Sequence, residues 1–164
     1  MSYLIGAEFL AGCATVEDWG CGKGWFSRFR TEGYVGVDGS ASPFASKVVD
    51  LEDYTSRVDG IFMRHVLEHN YRWRKLLTNA LASFRDRMVL AIFTPWSSAG
   101  TEEIKFVRDV GVPNLSLDKE ELVAELRGIE WKLLELVAPK TMYGVEHVFL
   151  MWKREGARRS TTGS

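Results

Sequence analysis

The chain has 164 residues, 46% hydrophobic and 26% charged, enough for one soluble domain with a sizeable core and too few for a second full domain. Lys and Arg number 21 against 22 Asp and Glu, and the net charge of −1 excludes a global electrostatic pull toward nucleic acid or an anionic membrane. Two cysteines, Cys13 and Cys21, have a spacing that fits neither a disulfide framework nor a zinc site, so a reducing cytoplasm is the expected compartment and no metal is expected.

The first segment, "LIGAEFLAGC", superficially resembles a lipoprotein signal ending at Cys13, but it lacks a positive leading region and carries Glu8 inside its short apolar run. No apolar stretch approaches the roughly 18 residues of a transmembrane helix. Beyond it, apolar runs rich in β-branched residues alternate with helical periodicity, the pattern of βα units wound into a parallel sheet. "ATVEDW" reads as the first strand, and "GWFSRFRTEG" as a short helix with Trp25, Phe26 and Phe29 at core spacing and Gly33 as its stop. "YVGVD" is the second strand and, after the turn-rich "GSASPFAS", "KVVDLED" is the third.

"DGIFMRHVLEHNYRWRKLLTNALASF" starts as a strand and passes into a helix on which Trp73, Leu76, Leu77, Ala80, Leu81 and Phe84 share an apolar face. "RMVLAIFTPW" is a strand ended by Pro95, which cannot donate to a central ladder. "SSAGTEEIKFVRDVGVPN" has weak periodicity and is expected to cover one end of the sheet. "SLDKEELVAELR" reads as a helix opened by Ser116, with Glu120 or Glu121 approximating a capping box. "WKLLELVA" and "EHVFLMWKR", joined by "PKTMYGV", permit an antiparallel pair. Residues 1–154 are thus expected to form one domain, and 155–164 ("EGARRSTTGS") a disordered tail.

The chemistry concentrates in "VEDWGCGKGWF". Gly20, Gly22 and Gly24 fall between a strand and a helix, where missing side chains let backbone approach a ligand and N–H groups point toward it. Twenty residues beyond Asp18, Asp38 ends the second strand, where a carboxylate accepts hydrogen bonds from both hydroxyls of a ribose. A dinucleotide fingerprint needs its third glycine one position later, where bulky Trp25 stands, which disfavours NAD-dependent oxidoreduction. Asp18 would repel a pyrophosphate but suits a cationic ligand carrying ammonium or sulfonium, and S-adenosylmethionine carries both.

"EDWGCGKG" resembles the first motif of the class I S-adenosylmethionine-dependent methyltransferases, in which an acidic residue precedes G-x-G-x-G. "YVGVD", "VVDLED" and "DGIFMRHVLEHN" resemble that family's later motifs in the same order; the likeness runs over about residues 14–153 and is strongest from Val16 to Trp96. It implies an α/β fold of Rossmann-like, doubly wound type, a mostly parallel seven-stranded sheet with an antiparallel last strand, and S-adenosylmethionine as cofactor. It further implies that Asp18, Gly20, Cys21 and Gly22 lie near the methionine part. Asp38 would bind ribose with Gly39 and Ser40 along the same edge, Asp50 would approach the adenine amine, Leu51 would pack on the ring, and Arg64 and His65 would stand at the methionine end.

Methyl transfer asks the protein for alignment and, for oxygen or carbon nucleophiles, a base. His65 is the first candidate and His147 the second, with Glu68, His69 and Glu146 as further titratable neighbours and Trp96, Phe106 and Tyr143 as an apolar floor. The few residues before the first strand and the short "SSAGTEEIKFVRDVGVPN" segment imply an open site, suited to a small-molecule or tethered acceptor, such as a sugar or glycan intermediate, or to completion by a second subunit as a homo-oligomer. A nucleic-acid acceptor is disfavoured, because "MRHVLEH" lacks an Asn/Asp-Pro-Pro-Tyr/Phe element and Arg72, Arg74 and Lys75 fit a solvated helix face. A noncatalytic S-adenosylmethionine-binding or partner-binding module is the alternative reading.

Overall fold

The computed structural model describes residues 1–153, so the expected disordered tail, 155–164, lies outside the described residues. The described residues form nine strands: β1 (Val16–Trp19), β2 (Tyr34–Asp38), β3 (Lys47–Val48), β4 (Val58–Arg64), β5 (Phe84–Ile92), β6 (Glu102–Val107), β7 (Val112–Ser116), β8 (Glu130–Val137) and β9 (Val145–Trp152). Seven of them form one sheet in the order β3-β2-β1-β4-β5-β9-β8, while β6 and β7 pair as a separate hairpin. The first five are parallel neighbours, and β9 runs antiparallel between β5 and β8. This is the mostly parallel seven-stranded sheet with an antiparallel last strand that the motif order implied.

Strand composition follows position in the sheet. All four residues of β1 are buried, as are the last five of β5, because both strands are covered on both faces. On one face α2 (Trp73–Ser83) and α3 (Lys119–Glu125) pack Trp73, Leu76, Leu77, Ala80 and Leu122 against Trp19, Ile61, Met63, Leu90 and Phe149. The other face carries Leu10, Val16, Phe26, Phe62, Val89 and Val148 beneath α1 (Ser2–Phe9). Gly6 lets α1 lie directly on Phe62, since a Cβ there would stand 2.4 Å from the ring. The Arg30 and Arg87 guanidiniums donate to the Leu10 and Phe9 carbonyls at 3.0 and 2.8 Å, satisfying the helix's C-terminal acceptors.

Buried Glu17 ties the β3 edge to the centre. Its carboxylate accepts from Lys47 Nζ (2.7 Å), Tyr54 hydroxyl (2.9 Å), Ser56 Oγ (2.7 Å) and Trp19 Nε1 (2.9 Å). Burial alone would raise this acid, but the Lys47, Ser56 and Trp19 bonds outweigh it and hold the group below its ordinary value.

Local departures from the sequence reading have physical causes. The expected helix after the glycine loop contracts to a 3-10 turn, Trp25–Arg28, because α1 already occupies that sheet face; Phe26 is buried against Phe62 at 3.8 Å between ring centres, while Trp25 and Phe29 stay exposed. The third strand stops after Val48, since the Asp50 carboxylate accepts the Glu52 N–H at 2.9 Å and turns the chain. The cap of α3 is Asp118, accepting from the Glu120 and Glu121 amides at 2.8 and 3.1 Å, whereas Ser116 belongs to β7 and donates to the Pro95 carbonyl at 2.6 Å. The weakly periodic segment is the β6–β7 hairpin, whose Val112 reaches the cleft described next.

Candidate cofactor and acceptor site

Strand order reverses between β1 and β4, and a doubly wound sheet opens a crevice at the carboxyl ends of its strands at such a point. A cleft of about 460 Å³ lies there, within the size range of small-molecule sites. Its wall brings together six of the predicted residues: Gly20 after β1, Asp38 and Gly39 at the end of β2, Asp50 and Leu51 after β3, and His65 after β4. Val66, His69, Asn70, Leu76 and Val112 complete it. Among the described residues, two carboxylates and two imidazoles but no Lys or Arg line the space, a charge balance that suits a cationic ligand and opposes a pyrophosphate.

Backbone conformation makes the loop. Gly20, Gly22 and Gly24 have φ of 75°, 48° and 64°, in the left-handed region that disfavours other residues. A Cβ on Gly20 would also meet Val66 Cγ2 at 2.3 Å, so the glycine lets the β4 turn close against the loop. Asp38 receives the Gly22 N–H on Oδ2 and the Ser40 N–H on Oδ1, both at 2.8 Å. Each oxygen keeps a second lone pair for a ligand hydroxyl. Asp50 lines the cleft beside Leu51 while one of its carboxylate oxygens accepts the Glu52 N–H of its own turn.

The remaining predicted residues stand behind the wall. Asp18 is buried beneath the loop and accepts the Tyr34 hydroxyl at 3.0 Å; burial raises its carboxyl to about 7, Tyr34 and Arg64 lower it, and the Asp38 charge raises it. Cys21 is a buried thiol pushed up to about 11 by burial and the nearby Asp18 and Asp38 charges, a state far from a reactive thiolate. Ser40 lies on the exposed side of its turn, and Gly22 contributes its N–H to Asp38 rather than a surface to the cleft.

Arg64 turns away from the cleft toward α1, donating to Ser2 Oγ and Tyr3 hydroxyl at 3.0 Å each and to Glu146 Oε1 at 2.5 Å. His65 stays in the cleft wall, and its Nε2 meets the same Glu146 oxygen at 2.8 Å. Burial opposes ionisation of Glu146, but the His65 bond and the Arg64 charge overcome it and hold the acid at about 2. Burial pushes the His65 imidazole down, Arg64 adds to the effect and Glu146 opposes it.

His147, one position on, points to the opposite face of β9 and packs at 4.3 Å on Trp96, outside the cleft wall. Glu68 is fully buried, with Oε1 accepting the Phe93 N–H at 2.9 Å, and burial raises it to about 7. His69 lines the cleft and its Nδ1 contacts the Pro113 carbonyl at 2.9 Å, which ties the wall to β7.

Among the aromatics, Tyr143 packs on Phe93, which also contacts the His65 and His69 rings at 4.6 and 5.6 Å. Trp96 packs half-buried against the core beside Phe149 and Phe106 stays exposed on the hairpin, so neither lines the cleft, whereas Phe93, which the sequence reading passed over, packs on the two cleft histidines. Its place directly after β5 was the available signal.

No family model matches the chain, and no curated protein matches it. Solved structures do. The 1,6-didemethyltoxoflavin-N1-methyltransferase of Burkholderia thailandensis, bound to 1,6-didemethyltoxoflavin and S-adenosylhomocysteine, is similar at TM-score 0.69 and 17% identity, over 93% of this chain and 76% of that one. An S-adenosylmethionine-dependent methyltransferase from Mesorhizobium loti is similar at TM-score 0.63 and 16% identity, over 92% of this chain and 100% of that one. The cyclase SpnF is similar at TM-score 0.66 and 13% identity, over 92% and 79% of the two chains.

Proposed function

We propose that this chain, whose fold is that of the class I S-adenosylmethionine-dependent methyltransferases, is itself an S-adenosylmethionine-dependent methyltransferase acting on a small or tethered acceptor. The observation that carries the reading is the chemistry of the cleft wall: Asp38, Asp50 and Leu51 on one side, His65 on the other, and no fixed cation between them. Asp38 holds the two ribose hydroxyls, Asp50 accepts from the adenine amine, and Leu51 with Gly39 lies along the base. Asp18, under the loop, supplies negative charge for the ammonium. When bound, S-adenosylmethionine supplies a methyl group on a sulfonium sulfur, which leaves as a neutral thioether. The chain contributes alignment, and Phe93, packed behind the His65 and His69 rings with Tyr143 beside it, backs the acceptor end of the cleft.

A shared fold does not fix the reaction, and a cyclase uses this one. Calorimetry with S-adenosylmethionine, S-adenosylhomocysteine and NAD, followed by incubation of methyl-labelled cofactor with a cell extract, tests the reading. Binding of the first two, no binding of NAD and label in a small-molecule or glycan fraction are expected. Binding without transfer to any fraction would instead identify a noncatalytic cofactor-binding module, and binding of none would overturn the cofactor assignment.

A further inference from the structure

Arg64 and His65 are adjacent at the end of β4, yet their side chains converge on one atom, Oε1 of Glu146, which is 82 residues from Arg64 in the chain and buried on β9. The shared oxygen settles the state of the imidazole. A guanidinium can only donate, so Oε1 accepts from Arg64. Glu146 is ionised at any pH near neutrality, with its carboxyl held at about 2, so it has no proton to give. The second contact at 2.8 Å is therefore a hydrogen bond donated by Nε2 of His65.

With the ring neutral, as burial and the Arg64 charge favour, the remaining nitrogen, Nδ1, carries a lone pair. Nδ1 is not among the described side-chain atoms that are sealed from solvent without a partner, and His65 lines the cleft. Backbone geometry adds an independent sign. Among the described residues His65 is the one non-glycine in the left-handed region, at φ 58°, and its N–H donates to the Ala91 carbonyl at 2.9 Å. Such conformations persist where the surroundings over-determine them, and they cluster at functional sites.

We propose that Glu146 is a positioning residue that fixes His65 as the Nε2–H imidazole, and that His65 Nδ1 is the base that takes the proton of an acceptor hydroxyl in the cleft. The inference rests on the methyl-transfer reading for its acceptor, though not for the imidazole's state. The O–H bond breaks with its electron pair left on oxygen, an N–H bond forms at Nδ1, and the ring becomes an imidazolium. Its new charge lies against the Glu146 carboxylate, the partner already bonded at Nε2. Arg64 and His69, the other charged or titratable groups facing the ring, oppose that charge and help return the proton after turnover. Tyr3 and Ser2 hold Arg64 from α1, so the N-terminal helix belongs to the device.

The test combines nitrogen NMR of the His65 ring with methyl transfer. Wild type, Glu146→Gln, Glu146→Ala and His65→Gln are compared, with S-adenosylhomocysteine binding measured in each. Wild type is expected to show one tautomer, protonated at Nε2; Glu146→Ala should mix tautomers, and the nearly isosteric Glu146→Gln should lower the ring's pKa by removing the charge that raises it. With carbon-13 methyl-labelled cofactor and cell extract, the product methyl should have the shift of an O-methyl group, and its rate at saturating cofactor should fall by about 10²- to 10⁴-fold in His65→Gln, a loss beyond any change in that variant's S-adenosylhomocysteine affinity. An Nδ1–H ring in wild type, an unchanged tautomer in Glu146→Ala, an N- or S-methyl product, or no product despite cofactor binding would each overturn the proposal. Failure of wild type to bind S-adenosylhomocysteine would fall on the cofactor reading, and the NMR arm would still decide the dyad.

Discussion

The Asp38 carboxylate accepts the backbone N–H of Gly22 at 2.8 Å, so the acid at the end of β2 also shapes the glycine loop that follows β1. One residue thereby sets both the floor and the edge of the cleft. Asp38→Ala is expected to weaken S-adenosylhomocysteine binding by about 10- to 100-fold, the loss of one or two charge-assisted hydrogen bonds. Asp38→Asn should lie between, because its amide keeps one acceptor oxygen while its NH2 must face either the Gly22 or the Ser40 N–H, neither of which it can accept. Calorimetric titration of the three proteins checks the order.

Asp18 gives the cofactor site a pH dependence of definite sign. Burial raises its carboxyl to about 7 in the free protein, so near neutrality the group is partly protonated. A ligand ammonium prefers the carboxylate, and affinity for S-adenosylmethionine is expected to rise as pH increases through about 7 and to level off above it. Asp18→Asn should bind more weakly and with a flatter profile. Affinities of the two proteins measured from about pH 6 to about pH 8 decide it, because the ligand amine, which titrates at about 7.7 to 8.0, affects both alike and cancels in the comparison; parallel profiles for the two proteins would remove Asp18 from the ligand's surroundings.

Glu68 works against stability as pH rises. In the unfolded chain it titrates near 4.5, whereas burial raises it to about 7 in the folded one, so the folded state holds its proton more tightly. The folded state is therefore penalised increasingly from pH 4.5 upward, until the penalty is complete above about 7. Glu68→Gln keeps an oxygen for the Phe93 N–H and has no charge to bury. Its urea midpoint should exceed that of wild type at about pH 8 and approach it at about pH 5, with a difference of up to a few kcal/mol.

The parts of this molecule that were legible in the sequence are those written locally. The glycine loop, Asp38 at a strand end and the buried β5 run each sit within a few residues of the signal that marks them, and six predicted positions do meet in one cleft. The N-terminal helix was not legible, because α1 packs its small residues, Ser2 and Gly6, against the sheet while Leu4 stays exposed, the reverse of an apolar stripe. Glu146 was visible as an acid near the site, but its bonds to Arg64 and His65 span more than 80 positions and depend on β9 lying beside β5. Alternation on β9 then separates Glu146 from His147, two neighbours that the sequence presents as a pair.

His65 offers a separation of backbone cost from side-chain role. At φ 58° any residue with a Cβ is crowded against its own carbonyl, by roughly 1 kcal/mol or more relative to glycine. His65→Ala and His65→Gly both remove the ring and leave Glu146 bonded to Arg64, so they lose the same side-chain contacts and differ chiefly at the backbone. In the unfolded chain glycine is the freer residue, which favours alanine by up to about 1 kcal/mol. The folded-state strain and the unfolded-state entropy therefore oppose each other. Where the left-handed conformation is held by the Ala91 hydrogen bond, strain is expected to win, with His65→Gly more stable than His65→Ala by several tenths of a kcal/mol or more. Paired denaturant titrations measure this directly. A less stable glycine variant would mean that the turn relaxes out of the left-handed region once the ring is gone, and that the imidazole's own bond to Glu146 is what holds the backbone there.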